Sequence, residues 1–321
     1  QRETVHAIKK GQILYYMQYV VDIKKNCIYG AEGLSRWEHP REGLLTPGVY
    51  IGLMRQAKAI EFLDYYMFER SCQQLERWEK EGLTEFCVSC NFDRLTIGNL
   101  EFYDRIIEIA DKYQFNRRHM ILEITEETFL YNRGNACQNT KLLSEAGFSL
   151  ALDDFGSGYA SFRNLIEYHI THLKLDRSML AFFDTAEGVT LLKGIVTAAH
   201  SLGVAVLMEG VETLEQLERV RAMDIDLVQG FMFSRVVPQI ELGRVRKRLE
   251  QRLASGMLPE GATTFADVNP DAPEDNVYED DEDGDGIRYR WSFTARLHRA
   301  PEELASYYTQ LKNQLLSYKK V

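Results

Sequence analysis

The chain alternates short apolar runs with longer segments of helical periodicity from about residue 10 to about residue 250. The predicted strands are residues 13–21, 86–91, 120–125, 148–154, 172–176, 204–210 and 226–230, and the predicted helices include residues 62–81, 100–113 and 189–202. Alternation of this kind is typical of repeated βα units. It predicts an α/β fold built on a parallel sheet, either closed into a barrel or doubly wound.

Polar side chains stand at or near the carboxyl ends of these apolar strands, namely Asn91, Glu123, Asp153, Asp154, Lys174 and Glu209. In a closed parallel barrel the carboxyl ends of the strands form one ring, so these residues would converge on one mouth. A doubly wound sheet would gather fewer of them at its switch point. The distribution therefore favours a TIM-type (β/α) barrel.

Asp153 and Asp154 are adjacent acids at the end of an apolar strand. An unpaired ion in a protein interior costs several kcal/mol, so we expect a positive partner beside them. Taken alone, the pair also suits a helix cap with a solvated neighbour. With Glu32, Asn91 and Glu123 it forms a set of oxygen ligands without His or Cys, which favours Mg²⁺ or Mn²⁺. Two such ions would clamp the attacking and leaving oxygens of a phosphoryl displacement.

Three further residues suit the same reaction. Lys174 can stabilise negative charge on a phosphate, although an ordinary surface lysine is the alternative reading. Glu209 can accept a proton from an attacking water, and Arg36 can bind a phosphate oxygen. The pattern predicts phosphodiester hydrolysis.

Composition limits the partners of the chain. The 321 residues carry a formal net charge of −10, but nine of the acids lie in residues 271–285, and the remainder is nearly neutral. A basic face for a nucleic-acid polymer is therefore not expected. The five cysteines are odd in number and lack zinc-site spacing, which favours a reducing, cytoplasmic setting. No apolar stretch is long enough to cross a membrane. Because the chain starts at Gln1, we expect a fragment of a longer protein that could be membrane-anchored through its other parts.

The pattern of strands and helices ends near residue 258, which predicts a barrel over residues 1–258. Residues 259–286 are polar and rich in Asp, Glu and Pro, as in a solvated acidic linker. Residues 287–297 alternate like a strand, and a helical pattern follows Pro301. One strand and one helix cannot fold alone, so residues 287–321 are predicted to be an appendage or the start of a truncated domain.

Seven motifs in order resemble the EAL-domain family of cyclic di-GMP phosphodiesterases over residues 10–249. They are "EGLSRW", which corresponds to the signature E-A-L-x-R-W, then "CNFD", "EITE", "LDDFGSGYAS", "LKLD", "MEGVET" and "QGFMFS". The resemblance implies a barrel that cuts cyclic di-GMP to linear pGpG with two Mg²⁺ or Mn²⁺ ions. It also implies a homodimer in which the segment 155–161 takes part.

The resemblance assigns roles to individual residues. The implied metal ligands are Glu32, Asn91, Glu123, Asp153 and Asp154. Glu209 would be the general base, Lys174 would lie near the attacking water, Glu126 would hold the segment 155–161, and Glu212 would support the site or simply begin the following helix. The implied substrate-binding residues are Leu34, Arg36, Gln18 and Gln229, the last of them beside the metal ligands.

The chain departs from the family pattern at several positions. Gly33 replaces the Ala of the signature, Tyr19 and Val236 stand where Pro is common, and Met208 replaces a small residue before Glu209. Gly33 would free the backbone beside Glu32, and Met208 would add bulk near the base. The alternative function is therefore a weakly active domain that serves as a cyclic di-GMP receptor, and the least favoured reading is a scaffold that docks a partner.

Overall fold

The structure is a computed structural model that describes residues 2–130, 133–156 and 162–255. The strands are β1 Ile13–Asp22, β2 Cys27–His39, β3 Gly43–Leu45, β4 Cys87–Phe92, β5 Met120–Thr125, β6 Ser149–Phe155, β7 His172–Leu175, β8 Ala205–Met208, β9 Leu227–Gln229 and β10 Val237–Pro238. The α-helices are α1 Arg2–Lys9, α2 Pro47–Gln56, α3 Ile60–Lys80, α4 Arg94–Ile97, α5 Phe102–Ala110, α6 Arg133–Glu145, α7 Phe162–Glu167, α8 Ala186–Ser201, α9 Leu214–Ala222 and α10 Leu242–Ala254. Short 3₁₀ helices cover Arg117–His119, Glu126–Phe129, Arg177–Asp184 and Gln239–Glu241.

Eight of the described strands close into a barrel in the order β1-β9-β8-β7-β6-β5-β4-β2, with β2 returning to β1. Seven strands of the ring run parallel to one another, namely β2, β4, β5, β6, β7, β8 and β9. The eighth, β1, runs antiparallel to its neighbours β2 and β9. The two short strands lie at the rim, where β3 pairs with β2 and β10 with β1. The predicted TIM-type barrel is thus confirmed.

Two details of the sequence prediction were wrong. The ring is not fully parallel, because four residues, 23–26, connect β1 to β2, and so short a turn joins only antiparallel strands. The segment around Glu32 was also missing from the predicted strands, although it forms β2, one of the longest strands of the barrel. The predicted helices are present as α3, α5 and α8, with ends that differ by one to three residues.

The apolar side chains form two layers, as the alternation of a strand requires. The larger layer lies between the barrel and its helices, and α3 contributes Phe68, Cys72 and Leu75 to it. The interior of the barrel is filled by small clusters such as Val20, Leu207 and Leu227. Polar side chains lie in the interior too, since Tyr29 packs against this cluster and its hydroxyl oxygen is 2.7 Å from His172 Nε2.

Local signals at the helix ends are those expected from the sequence. Thr213 and Gln216 form a capping box at the start of α9, in which each side chain accepts a hydrogen bond from the other residue's backbone N–H. Gly203 follows α8 with a φ of +73°, a conformation that favours glycine.

Part of the sequence prediction lies outside the described residues. This is true of the acidic linker, of residues 287–321, and of residues 157–161 in the predicted dimerisation segment. The domain boundaries stay predictions. Within the described ranges, none of the helices is both long and apolar enough to cross a membrane.

Candidate active site

The ammonium group of Lys174 lies at the centre of an acidic cluster at the mouth of the barrel. Its Nζ is 2.7 Å from Glu123 Oε2, 2.8 Å from Glu209 Oε1, 3.1 Å from Asp153 Oδ1 and 3.7 Å from Glu32 Oε2. These residues come from β2, β5, β6 and β7 and from the end of β8, so the closed sheet itself brings them together. We call Lys174 and these four carboxylates the acidic cluster.

Amide side chains fix the orientation of Glu32. Asn91 Nδ2 donates to Glu32 Oε1 at 2.6 Å, and Gln229 Nε2 donates to Glu32 Oε2 at 2.7 Å. Gln229 Nε2 also donates to Gln18 Oε1 at 3.1 Å, while Gln18 Nε2 donates to the carbonyl of Ser234 at 2.8 Å. Asn91 and Gln229 thus hold the Glu32 carboxylate from the two sides of β2, and Gln18 in turn holds Gln229.

Burial and like charges shift the pKa values of the cluster. Burial, followed by the neighbouring charge of Glu32, raises the pKa of Glu123 well above its usual range despite the contact with Lys174. Removal from bulk water likewise raises the pKa of Glu209 to about 8, against the opposing effect of Lys174. Burial alone would lower the pKa of Lys174, but Asp153 and the other carboxylates outweigh it and raise that pKa. Lys174 is therefore a permanent cation, and the cluster holds more carboxyl groups than this one cation can neutralise.

The two adjacent aspartates have different surroundings. Asp153 ends the inward face of β6 and contacts Lys174, whereas Asp154 is exposed and has a φ of +56°, which is rare for a residue other than glycine. Gly156 follows with a φ of +109°, and its N–H donates to Glu126 Oε1 at 2.9 Å. Glu126 is thus bonded to the start of the segment it was expected to hold, and its role in holding the whole segment stays a prediction.

Arg36 and Leu34 follow Glu32 at alternating positions of β2, so they share its face of the strand. The Arg36 guanidinium lies 5.6 Å from the ring centroid of Tyr16 and donates to the Ser35 carbonyl at 2.8 Å. Both side chains are half-buried at the rim. Their role in binding substrate stays a prediction.

One contact of Glu212 bears on its expected role in supporting the site. Its backbone N–H donates to Gln216 Oε1 at 2.8 Å, so the residue takes part in the start of α9. This contact supports the alternative in which Glu212 begins a helix. A supporting role for its carboxylate stays a prediction.

The acidic cluster meets part of what a divalent cation needs from its ligands. Within residues 2–130, 133–156 and 162–255, no group of three His, Cys, Asp or Glu side chains is arranged to hold a metal ion. The Lys174 ammonium lies among the carboxylates instead. The set itself fits hard cations, because it offers only oxygen ligands and has an excess of negative charge. Cations in addition to Lys174 would relieve that excess.

Sequence reasoning missed a buried acid that supports Asn91. The Asp64 carboxylate on α3 accepts hydrogen bonds from the Asp93 N–H at 3.0 Å and from Thr96 Oγ1 at 2.5 Å, directly after β4. Arg55 Nε donates to Asp93 Oδ2 at 2.7 Å. This network fixes the backbone two residues beyond Asn91. The only sequence signal for it is an isolated Asp within the apolar face of a predicted helix.

Comparison with known proteins identifies the family. The family model described as "EAL domain" matches residues 1–236 of the chain. The chain belongs to the EAL domain family. Its EAL domain is 30% identical over 239 residues to the cyclic di-GMP phosphodiesterase NbdA of Pseudomonas aeruginosa, a match that covers 74% of this chain and 30% of NbdA.

Two other relatives of this EAL domain are informative. The probable cyclic di-GMP phosphodiesterase PdeG of Escherichia coli K12 is 29% identical over 240 residues, covering 74% of this chain and 47% of PdeG. The chain thus spans less than half the length of these curated relatives. The solved complex of the PaMucR phosphodiesterase with c-di-GMP has a TM-score of 0.70 and 26% identity, and covers 75% of this chain and 99% of that one.

Met208 and Tyr19, two of the departures from the family pattern, both face away from the barrel interior. Met208 is fully buried in the layer between barrel and helices, whereas its neighbour Leu207 faces the interior. The expectation that Met208 crowds Glu209 was therefore wrong, because alternation along β8 turns the two side chains to opposite faces. Tyr19 also faces outward, where its hydroxyl donates to the Leu242 carbonyl at 2.9 Å.

Proposed function

We propose that the mouth of this EAL domain hydrolyses cyclic di-GMP to linear pGpG. The observation that carries the proposal is the acidic cluster, in which four carboxylates lie within 3.7 Å of the buried ammonium of Lys174. The same substrate is supported by two relatives, since NbdA is a cyclic di-GMP phosphodiesterase and the PaMucR phosphodiesterase was solved in complex with c-di-GMP. The reaction adds one water to one of the two phosphodiesters and breaks its bond to the 3′ oxygen.

The proposed site holds two divalent cations, Mg²⁺ or Mn²⁺, through Glu32, Asn91, Glu123, Asp153 and Asp154. Bound there, the two ions would neutralise phosphate charge and make the attacking water more acidic. The hydrogen bonds from Asn91 and Gln229 keep the Glu32 carboxylate oriented toward the cluster. Such orientation of a ligand by its neighbours is what metal sites require.

Glu209 is the proposed general base. Its carboxylate is the most exposed of the four, with 23% of the side chain accessible, so water can reach it. It would take the proton of the attacking water as the oxygen bonds to phosphorus, and the departing 3′ oxygen would take a proton from solvent. Lys174, which donates to Glu209 and Glu123, would stabilise the negative charge that develops on the phosphate.

The substrate would be positioned by residues at the rim. Arg36, held against Tyr16, would bind a phosphate oxygen, and Leu34 would contact a base or ribose. Gln18 and Gln229 were expected to bind substrate, and their hydrogen bonds give them the further role of orienting Glu32. Homodimerisation through the segment 155–161 remains part of the proposal.

The receptor alternative depended on damage to the site by Gly33 and Met208. Both positions lie on the outer face of the barrel sheet, away from the acidic cluster, so neither disturbs the carboxylates directly. A receptor also needs no general base. The enzyme is therefore the preferred function.

The test is conversion of cyclic di-GMP by the purified chain with Mg²⁺ and by its Glu209→Gln variant. Loss of a general base typically lowers the rate by about 10² to 10⁴. Because the amide keeps the size of the side chain, nucleotide affinity should stay within a few-fold of the parent. Glu218→Gln, on the exposed surface of α9, is the matched control and should keep full activity.

Three outcomes are distinguishable. A parent that binds the nucleotide without producing pGpG is a receptor. A Glu209→Gln variant with unchanged turnover places the base elsewhere. Loss of activity in both variants would point to general damage by the substitutions.

A further inference from the structure

Gly33, which stands at the alanine position of the EAL signature, has a neighbour that explains why a glycine is present. A Cβ placed on Gly33 would lie 2.7 Å from Tyr15 Oη, 2.9 Å from Tyr15 Cε2 and 3.1 Å from Tyr15 Cζ. Carbon atoms in contact normally stay at least about 3.5 Å apart. The ring of Tyr15 thus fills the space that the methyl group of the signature alanine would need.

Tyr15 is not free to move aside. The residue is 5% exposed, and its Oη lies 3.0 Å from Ser71 Oγ on α3. Ser71 Oγ donates its only hydrogen to the Met67 carbonyl at 3.0 Å, so Tyr15 is the donor to Ser71. Packing and this chain of two hydrogen bonds hold the phenol against α3, directly behind β2.

The position of Gly33 connects this contact to the acidic cluster. Gly33 follows Glu32 in β2, and successive side chains of a strand point to opposite faces, so Tyr15 lies behind the strand at the point where Glu32 extends into the barrel. Glu32 accepts short hydrogen bonds from both Asn91 and Gln229. A small displacement of the β2 backbone would therefore change the geometry of both bonds.

We propose that Tyr15 is a positioning residue for Glu32, and that Tyr15 and Gly33 form a coupled pair that replaces the alanine of the signature. The ring sets the distance between β2 and α3, and Gly33 leaves room for it. The proposal rests on the proposed function insofar as Glu32 is a metal ligand. It predicts that either residue changed alone disturbs metal binding, and that the two changes together restore it.

The experiment compares Gly33→Ala, Tyr15→Leu and the double variant by calorimetric titration with Mn²⁺, by thermal unfolding in EDTA, and by turnover. Outer-shell changes typically cost 10- to 100-fold in metal affinity, so each single variant should bind Mn²⁺ at least about tenfold more weakly. The double variant should return to within about threefold of the parent affinity. Its melting temperature should nevertheless stay below that of the parent, because leucine fills less of the core than tyrosine does.

Recovery of metal affinity without recovery of stability separates positioning from a merely structural role. Tyr19→Leu combined with Gly33→Ala is the matched control, since Tyr19 is also a buried, outward-facing tyrosine of the same strand. This control should keep the defect of Gly33→Ala. If Gly33→Ala does not fold, the double variant is compared with Tyr15→Leu, and the added methyl group should strengthen Mn²⁺ binding at least about threefold.

Three results would overturn the pairing: parental Mn²⁺ affinity in Gly33→Ala, a double variant that binds no better than Tyr15→Leu, or equal rescue by the Tyr19 control. Failure of the proposed function has a different signature. In that case the parent produces no pGpG, while the coupling is still measured by Mn²⁺ affinity in the absence of substrate.

Discussion

Replacement of Lys174 by methionine should destabilise the metal-free protein strongly. Methionine has a similar length but no charge, so the carboxylates of Glu123, Glu209 and Asp153 would lose the ammonium that lies 2.7 to 3.1 Å away. Removing one partner of a buried ion pair typically costs about 3 to 5 kcal/mol. For a domain of about 150 to 250 residues each kcal/mol lowers the melting temperature by about 2 to 4 °C, so for unfolding of the barrel we expect a decrease of about 6 to 20 °C.

The size of this decrease should depend on pH. Burial raises the pKa of Glu209 to about 8, so its carboxyl group favours the folded state fully below its usual pKa of 4.5 and loses that contribution as the pH rises to about 8. Protonated carboxyl groups need no counter-charge. The difference between parent and Lys174→Met should therefore be small at pH 5 and large at pH 8.

Mn²⁺ supplies the decisive comparison. If the cluster binds cations through the same carboxylates, saturating Mn²⁺ should raise the melting temperature of Lys174→Met more than that of the parent, because the metal replaces the missing charge. The assay is thermal unfolding by circular dichroism in EDTA and in Mn²⁺, with Lys193→Met on the exposed side of α8 as the control. A variant that melts within about 2 °C of the parent in EDTA at pH 8 would refute the role of Lys174 as the counter-charge.

Three further predictions concern other parts of the chain. Asp153→Asn should lower Mn²⁺ affinity and turnover together, because it removes one carboxylate charge from the cluster. Superimposable Mn²⁺ titrations of parent and variant would contradict this, and Asp104→Asn on the exposed side of α5 is the control. Burial lowers the pKa of His172 from 6.5 to about 4, so its contribution to stability is complete above pH 6.5 and is lost as the pH falls to about 4. The melting temperature of His172→Gln should therefore depend less on pH in this window, and equal slopes of melting temperature against pH in parent and variant would exclude the effect. Deletion of residues 271–285 should leave Mg²⁺ dependence and pGpG formation within a few-fold of the parent, because a self-repelling acidic tract is a poor source of fixed ligands. A loss of activity that excess Mg²⁺ restores would show that the tract supplies metal ligands.

The barrel was predictable because most of its strands are uninterrupted apolar runs with a polar residue near the end. The strand β2 was not, since its sequence "CIYGAEGLSRWEH" mixes charged residues and glycine and lacks such a run. Once β2 was missing, the turn at residues 23–26 had no second strand to join, and the antiparallel direction of β1 could not be inferred. The error therefore arose from treating apolar character as the sole mark of a barrel strand.

For the candidate site, the sequence predicted which residue types meet but not how they are arranged. The sequence pattern placed Asn91, Glu123 and Asp153 at or near strand ends, and a closed barrel brings such ends together. The position of Lys174 among the carboxylates depends on the register of β7 against β6 and β8, which no local pattern specifies. The contact of Tyr15 with Gly33 is likewise a tertiary feature between strands.

The antiparallel β1 also affects how the chain can fold. Its residues 20–22 pair with residues 227–229, more than 200 positions later, so the barrel closes only after nearly all of it has been synthesised. Pairing over such a distance carries a large loop-closure entropy and is a slow step. Until β9 arrives, the hairpin of β1 and β2 presents an open edge that another chain can pair with. A chain released before β9 is complete would therefore be prone to aggregate through β1, although most of its helices and parallel strands could already have formed.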